Sequence, residues 1–243
     1  MTVENKIFPM RIAKRIAASG FCSRREAERY IKSHKVLVNN KIIDSLGMQI
    51  NKKDKITVNG ITIKNIPNTK LYMFNKSKGC IVSENDPQNR KTIYDIIPNS
   101  KERLMYIGRL DFNSEGLLLL TNNGQLKRYF ELPKNKIQRC YRVKVYGNTN
   151  NINKKMLEKG ISIDGIFYGK IYTNIIKTNA KSSWIEITLT EGKNREIKRI
   201  FSEFNSRVTL IHRYSFAGIE LNNIKIGKYK AISKKELQKR IIK

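Results

Sequence analysis

Residues 108–124, GRLDFNSEGLLLLTNNG, place a carboxylate where it could do chemistry. Asp111 lies in a glycine-bracketed loop that opens directly onto Leu117, Leu118, Leu119 and Leu120, a run that reads as a strand buried on both faces. An acid at the edge of such a strand sits between solvent and core. Its carboxylate is expected to be partly desolvated and to need a cation or several donors to remain ionised. The competing reading is that Asp111 only caps a turn, as Asp often does. Arg109 is two residues away, and the two side chains point the same way only if the loop is extended.

Two further segments carry candidates. WIEITLTEGKNREIKRIF at 184–201 reads as a strand, a glycine-bearing loop and a helix. Ile197, Ile200, Phe201 and Phe204 form the apolar stripe of that helix; on a wheel Lys198 flanks the stripe, while Arg195 and Arg199 point away. A half-buried Lys198 would either snorkel to water or pair with a buried acid. Arg195 and Arg199 suit phosphate contacts or a plain solvated face. In CYRVKVY at 140–146, Tyr141, Val143 and Val145 share one face and Arg142 and Lys144 the other, so Tyr141 points toward the core. At a strand end it could offer a base an aromatic wall and a hydroxyl, although the pattern alone favours a core tyrosine.

The chain around these residues is strongly basic. Its 243 residues include 49 Lys and Arg against 20 Asp and Glu, a net charge of +29 spread along the whole length. A polyanion is the natural partner. A genome whose codons favour Lys, Ile and Asn is the alternative explanation, but such a bias could also have raised Glu and did not. No segment approaches the roughly 18 apolar residues of a spanning helix. Residues 1–10 lack the apolar stretch of a signal peptide, so a cytoplasmic location and no membrane partner are expected. Cys22, Cys80 and Cys140 form no CxxC pair, which argues against a zinc ribbon and a disulfide framework. With only His34 and His212 present, a histidine triad or a histidine-ligated metal is poorly supported.

Two helices open the positioning framework. Residues 11–19 put Ile12, Ala13, Ile16 and Ala17 on one stripe, and Gly20 follows as a terminator. Ser23-Arg24-Arg25-Glu26 reads as a capping box for a second helix with Ala27, Tyr30 and Ile31 buried. Arg24 and Arg25 in its first turn oppose the helix dipole, which suggests an outside anion. VLVNNKII at 36–43 and KITVNGITI at 55–63 read as short β runs broken by Asn-Asn and Asn-Gly turns. The expected organisation is a small α/β domain at 1–64, a linker at 65–69 and a larger domain at 70–243. The larger domain is strand-rich: LYMF, CIVS, LMYI, GLLLLT, YRVKVY, ISIDGIFY, KIYTNIIK, WIEITLT and VTLIHRY. Helices are expected at 92–97, 125–131, 153–159 and 195–204, with a polar helix near the C-terminus. Strands with interspersed helices and no regular βαβ alternation imply an α+β domain on a mixed, mainly antiparallel sheet.

At GRLDFNSEGLLLLTNNG the sequence resembles the RsuA/RluB group of ribosomal RNA pseudouridine synthases, and the resemblance extends over nearly the whole chain. The group's loop has the form GRLD, a polar pair, Gly-Leu-Leu-Leu and TNDG; Ser114 stands where Thr is usual and Asn123 where Asp is usual. Tyr141-Arg142-Val143 is similar to its tyrosine, basic residue and valine, EGKNREIKRI at 191–200 to its EGKNRQVRRM, and NKSKG at 75–79 to its NKPxG, with Ser77 for Pro. FCSRREAERYIKSHKVLVNNKII at 21–43 resembles the small RNA-binding fold named after ribosomal protein S-four.

What the resemblance implies is concrete. Asp111 would attack the target nucleotide at carbon 6 of uracil or at the anomeric carbon, and the freed base would turn and rejoin through carbon 5, with no metal or redox cofactor. Tyr141 would stack on the flipped base and help remove the carbon 5 proton, and Lys198 would pair with Asp111. Arg24, Arg25, Arg29 and Lys32 of the small domain would hold phosphates, together with Arg109, Asn194, Arg195 and Arg199 of the larger one. The target must leave its stack, at a cost of a few kcal/mol. The SEGLLLLTNNG variant and the ELP at 131–133 point to 23S in preference to 16S ribosomal RNA, and a monomer is expected. The rival readings are a non-catalytic RNA-binding or ribosome-assembly protein, which leaves the Asp111 loop without a purpose, and a methyltransferase, for which the Gly-rich loop is missing. A tyrosyl-tRNA synthetase fragment would need a nucleotide-binding signature, and none is present.

Overall fold

In a computed structural model, residues 8–97, 102–147, 149, 152, 154–233 and 235–237 are described. The chain forms two compact units. One comprises Met1–Thr69 with Ser100–Leu104 and Asn122–Gly124, the other Lys70–Asn99, Met105–Thr121 and Gln125–Lys243.

The smaller unit runs β1 (Met10–Arg11), α1 (Ile12–Ala18), α2 (Arg24–Lys32), β2 (Val36–Val38), β3 (Lys41–Ile42), β4 (Gln49–Ile50), β5 (Ile56–Val58) and β6 (Ile61–Thr62). Ile12, Ala13, Ile16, Ala27 and Ile31 pack on Val36, Val38, Ile56 and Val58. The Ser23 hydroxyl accepts the Glu26 amide at 3.1 Å, as the capping box requires. Both hairpins turn on residues of positive φ, Asn39 and Asn40 in one and Asn59 and Gly60 in the other, which matches the twist of tightly paired strands. Strand order is β3-β2-β5-β6, all antiparallel.

The larger unit contains β7 (Leu71–Lys76), β8 (Met105–Ile107), β9 (Ser114–Thr121), α3 (Gly124–Glu131), β10 (Arg139–Tyr146), α4 (Lys154–Lys159), β11 (Ile161–Ile163), β12 (Ile166–Tyr168), β13 (Ile171–Thr178), β14 (Ser182–Leu189), α5 (Glu196–Glu203), β15 (Arg207–Phe216), β16 (Ile219–Glu220) and β17 (Tyr229–Ala231). Among the described residues these build a nine-stranded sheet in the order β13-β14-β10-β15-β9-β7-β17, with β16 on β15 and β8 on β9. Only β9 and β15 run parallel; the other pairs are antiparallel, so the protein is α+β. Leu117 to Leu120 are completely buried, as a strand covered on both faces must be, each contributing about 2 kcal/mol of burial.

Two expected elements are absent. CIVS at 80–83 forms only an isolated bridge, Ile81 to Thr92: Cys80 and Val82 are buried, but among the described residues no strand pairs along the segment. Residues 92–97 make a turn: the Thr92 amide and hydroxyl donate to the Asp95 carboxylate and the Ile96 and Ile97 amides to the Ile93 carbonyl. Pro98 follows, which disfavours helical backbone in the residue before it. The expected C-terminal helix is described only at residues 235–237, which are helical. No helix among the described residues is long and apolar enough to cross a membrane.

β9 meets β15 at a very close approach. Gly116 pairs with Arg213 at φ +103°, and a Cβ there would lie 2.3 Å from the Arg213 carbonyl oxygen and 2.8 Å from its nitrogen. Both atoms are backbone and cannot swing aside. Gly116→Ala is therefore expected to cost about 3 kcal/mol by combined strain and overpacking; urea unfolding with a loss under about 1 kcal/mol would contradict this contact.

Candidate active site

The loop at 108–114 enters β9 and is pinned by side chains from three elements. From the end of β7, Lys76 is fully buried, and its ammonium donates to the carbonyls of Ser77 (2.9 Å), Asp111 (3.1 Å), Phe112 (3.4 Å) and Ser114 (2.7 Å). Burial pushes the Lys76 ammonium down from its ordinary pKa, with the Cys80 and Asp111 charges opposing that shift. From β15, the buried Arg213 donates to the Leu117 carbonyl at 2.7 Å and to that of Arg109 at 3.5 Å. Glu131 of α3 accepts the Gly108 amide at 2.8 Å and is held by Lys127 at 2.6 Å. The loop closes on itself through the Ser114 amide and the Asp111 carbonyl at 3.0 Å.

This leaves the Asp111 carboxylate projecting at the rim. Lys198, on the first turns of α5, reaches to 3.5 Å of its Oδ2, with side chains 25% and 39% exposed respectively. The pair is thus partly desolvated, so its attraction exceeds that of a fully solvated ion pair. A cleft of about 90 Å³ opens beside it, lined by Arg109, Asp111, Tyr141, Lys193, Arg195 and Glu196 and floored by apolar side chains such as Leu189 and Ile211. Tyr141 is 7% exposed and alternates on β10 with exposed Arg142 and Lys144; it packs with the core and still forms part of the cleft wall.

Beneath the cleft two buried arginines face one ring. The guanidinium of Arg139 lies 5.0 Å from the Phe216 centroid and that of Arg213 4.9 Å. Arg139 donates to the carbonyls of Ile137 and Thr190, and burial pulls its pKa below the usual value. Its bond to Thr190 anchors the start of the 190–195 loop. That loop ends in a closed turn: the Lys193 amide donates to Glu196 Oε2 at 2.8 Å and the Glu196 amide to the Lys193 carbonyl at 3.2 Å. Arg195 is held at φ +52°, left-handed, as the residue that caps α5.

The structure brings Asp111 and Lys198 into contact and places Tyr141, Arg109 and Arg195 on the same cleft. Asn194 and Arg199 are exposed and lie outside the lining. Arg24, Arg25, Arg29 and Lys32 are exposed on α2 of the smaller unit, where Arg24 pairs with Glu28 at 3.4 Å. Arg195 is exposed, away from the apolar stripe of α5, and it lines the cleft from the left-handed turn that precedes the helix. Sequence reasoning gave Lys76 no role although it lies within NKSKG, and it passed over Arg139, Arg213 and Glu196. Residue type alone does not distinguish a buried cation from the many exposed ones. At one departure from the RsuA/RluB pattern, the Asn123 amide donates to the Thr69 hydroxyl at 2.7 Å.

Residues 70–203 match the RNA pseudouridylate synthase family and residues 10–56 the S4 domain. An uncharacterized RNA pseudouridine synthase of Rickettsia prowazekii is 40% identical over 232 residues, spanning 96% of this chain and 98% of its own. The ribosomal large subunit pseudouridine synthase B of Bacillus subtilis is 32% identical over 231 residues, 94% of either chain. A pseudouridylate synthase crystal structure superimposes with a TM-score of 0.68 at 26% identity, covering 96% of this chain and all of that one, 100%. The protein is an RNA-modifying isomerase. It belongs to the RNA pseudouridylate synthase family.

Proposed function

We propose that the chain isomerises a specific uridine of large-subunit ribosomal RNA to pseudouridine in the cytoplasm, acting as a monomer with Asp111 as nucleophile. The observation that carries this reading is the Asp111–Lys198 pair at 3.5 Å on the rim of a cleft whose wall includes Tyr141. The uridine is flipped into the cleft and its base lies against Tyr141. The Asp111 carboxylate adds to carbon 6 of uracil or to the anomeric carbon, and Lys198 holds it oriented and ionised. Once the glycosidic bond has broken, the base turns and carbon 5 bonds to the anomeric carbon; the Asp111 carboxylate is released, displaced from the anomeric carbon by that bond or eliminated from carbon 6, and the carbon 5 proton leaves with help from Tyr141. Attack and rejoining lie on one reaction path, so no outside reductant or oxidant is consumed. The choice of the large subunit rests on the names of relatives in Bacillus subtilis and Buchnera aphidicola, both large-subunit synthases. Purified protein given large-subunit transcript labelled with tritium at uracil carbon 5 should release tritium to water; retention of all label would refute the reading.

Binding and turnover should separate. Lys198→Met is expected to lower kcat about 10²-fold with little change in affinity. Replacing Arg24 and Arg25 together by Ala should weaken RNA binding and reduce the salt slope by about 1 per arginine, leaving kcat unchanged. Single-turnover rates and filter binding across a salt series test both; equal effects on the two parameters in either variant would contradict this division.

A further inference from the structure

We infer that Glu196 is a positioning residue that carries a proton and donates it to Glu191, and that this carboxyl–carboxylate bond fixes the cleft wall formed by Lys193 and Arg195. Glu196 is 4% exposed, and its Oε1 is buried with no hydrogen-bond donor reaching it among the described residues. A buried oxygen in that state calls for an explanation. Both carboxyls are tied to Lys193, that of Glu196 through the amide and that of Glu191 through the ammonium, and the two glutamate side chains are hydrogen-bonding neighbours. Two such groups cannot both ionise when shielded from water, so one of them keeps a proton.

The partners decide which one. Glu191 accepts the Gly169 amide at 2.7 Å and the Lys193 ammonium, which favour its charge, while Glu196 accepts the Lys193 amide and feels the Lys193 charge without a hydrogen bond from that ammonium among the described residues. Burial raises Glu196 to about 7, with the Lys193 amide opposing and the Glu191 charge adding to the rise. Burial also works against the Glu191 charge, but the Gly169 amide and Lys193 outweigh it and hold that carboxyl below its usual value. The other titratable groups facing the pair are Arg139 and Tyr141 from β10, Tyr168 from β12 beneath the Lys193 ammonium, and Arg109, Asp111 and Arg195 around the cleft.

The consequence is mechanical. Arg195 holds a left-handed conformation that a non-glycine residue keeps only when its surroundings impose it, and the Lys193–Glu196 turn is what imposes it. Ionising Glu196 would put two carboxylates in contact at that turn and loosen the residues that line the cleft. The role is inferred on the uridine-isomerase reading of the cleft.

Glu196→Gln tests it, because the amide keeps the acceptor for Lys193 and supplies a permanent donor to Glu191. Glu196 has a folded pKa above its unfolded one, so the stability it lends is complete below pH 4.5 and is lost as pH rises through about 7. The Tm of the wild type should therefore fall by several degrees relative to Glu196→Gln between pH 5 and 8.5. In the same interval wild-type kcat/KM should fall, by up to about tenfold per pH unit and mainly through KM, and Glu196→Gln should lack that limb. A Tm difference independent of pH would overturn the shared proton. A limb that survives in Glu196→Gln would overturn the positioning role. The Tm arm needs no activity, so its failure is distinct from failure of the isomerase reading.

Discussion

Asp111→Asn should abolish isomerisation, by about 10³-fold or more, the scale expected when a covalent nucleophile is removed. The loop's shape does not depend on the lost charge, since Lys76 and the Ser114 amide grip the Asp111 carbonyl, while the side chain pairs with Lys198. That contact is half exposed and worth about 1 kcal/mol at most. Folding and RNA binding should stay close to wild type, so the variant isolates chemistry from recognition. Single-turnover assay beside a binding isotherm reads both. Residual activity within tenfold of wild type would remove Asp111 from the role of nucleophile.

The second large effect is expected at a residue that never meets the substrate. Lys76→Met keeps the length of the side chain and removes the ammonium that gathers four carbonyls, three of them in the loop at 111–114. Buried carbonyls left without a donor cost about 1–3 kcal/mol each, partly recovered if water enters. A net loss of about 3 kcal/mol in urea unfolding is therefore expected. Activity should fall about 10²-fold, because a nucleophile displaced by an ångström loses that much. Since Lys76 acts through the backbone, the loss should appear in kcat with the RNA affinity retained; unaltered kcat would show that the loop holds its shape without the lysine.

The sequence makes the frame of this molecule legible where a local rule is strong. The Asn-Asn and Asn-Gly hairpins, the Ser23 cap and the fully buried leucine strand follow from turn chemistry, capping and burial, each decided within a few residues. The placement of Lys198 beside the apolar stripe of α5, half-buried and free to pair, also follows from a helical wheel. Non-local features are less accessible. CIVS at 80–83 alternates like a strand, but a strand needs a neighbour, and only the tertiary fold supplies or withholds one. Arg213 and Lys76 resemble dozens of solvated cations until strand pairing buries them, and the close approach at Gly116 exists only because β9 and β15 run side by side. Glu196 is similar: the charged residues nearest it in sequence are Arg195 and Lys198, yet its carboxyl meets that of Glu191 five residues earlier.

The most direct measurement is pseudouridine mapping of total ribosomal RNA, by chemical adduct and primer extension, in cells with and without the gene. One large-subunit mark should vanish on deletion, return with the wild-type gene and stay absent with Asp111→Asn. An unchanged map, or a mark restored by Asp111→Asn, would contradict the account.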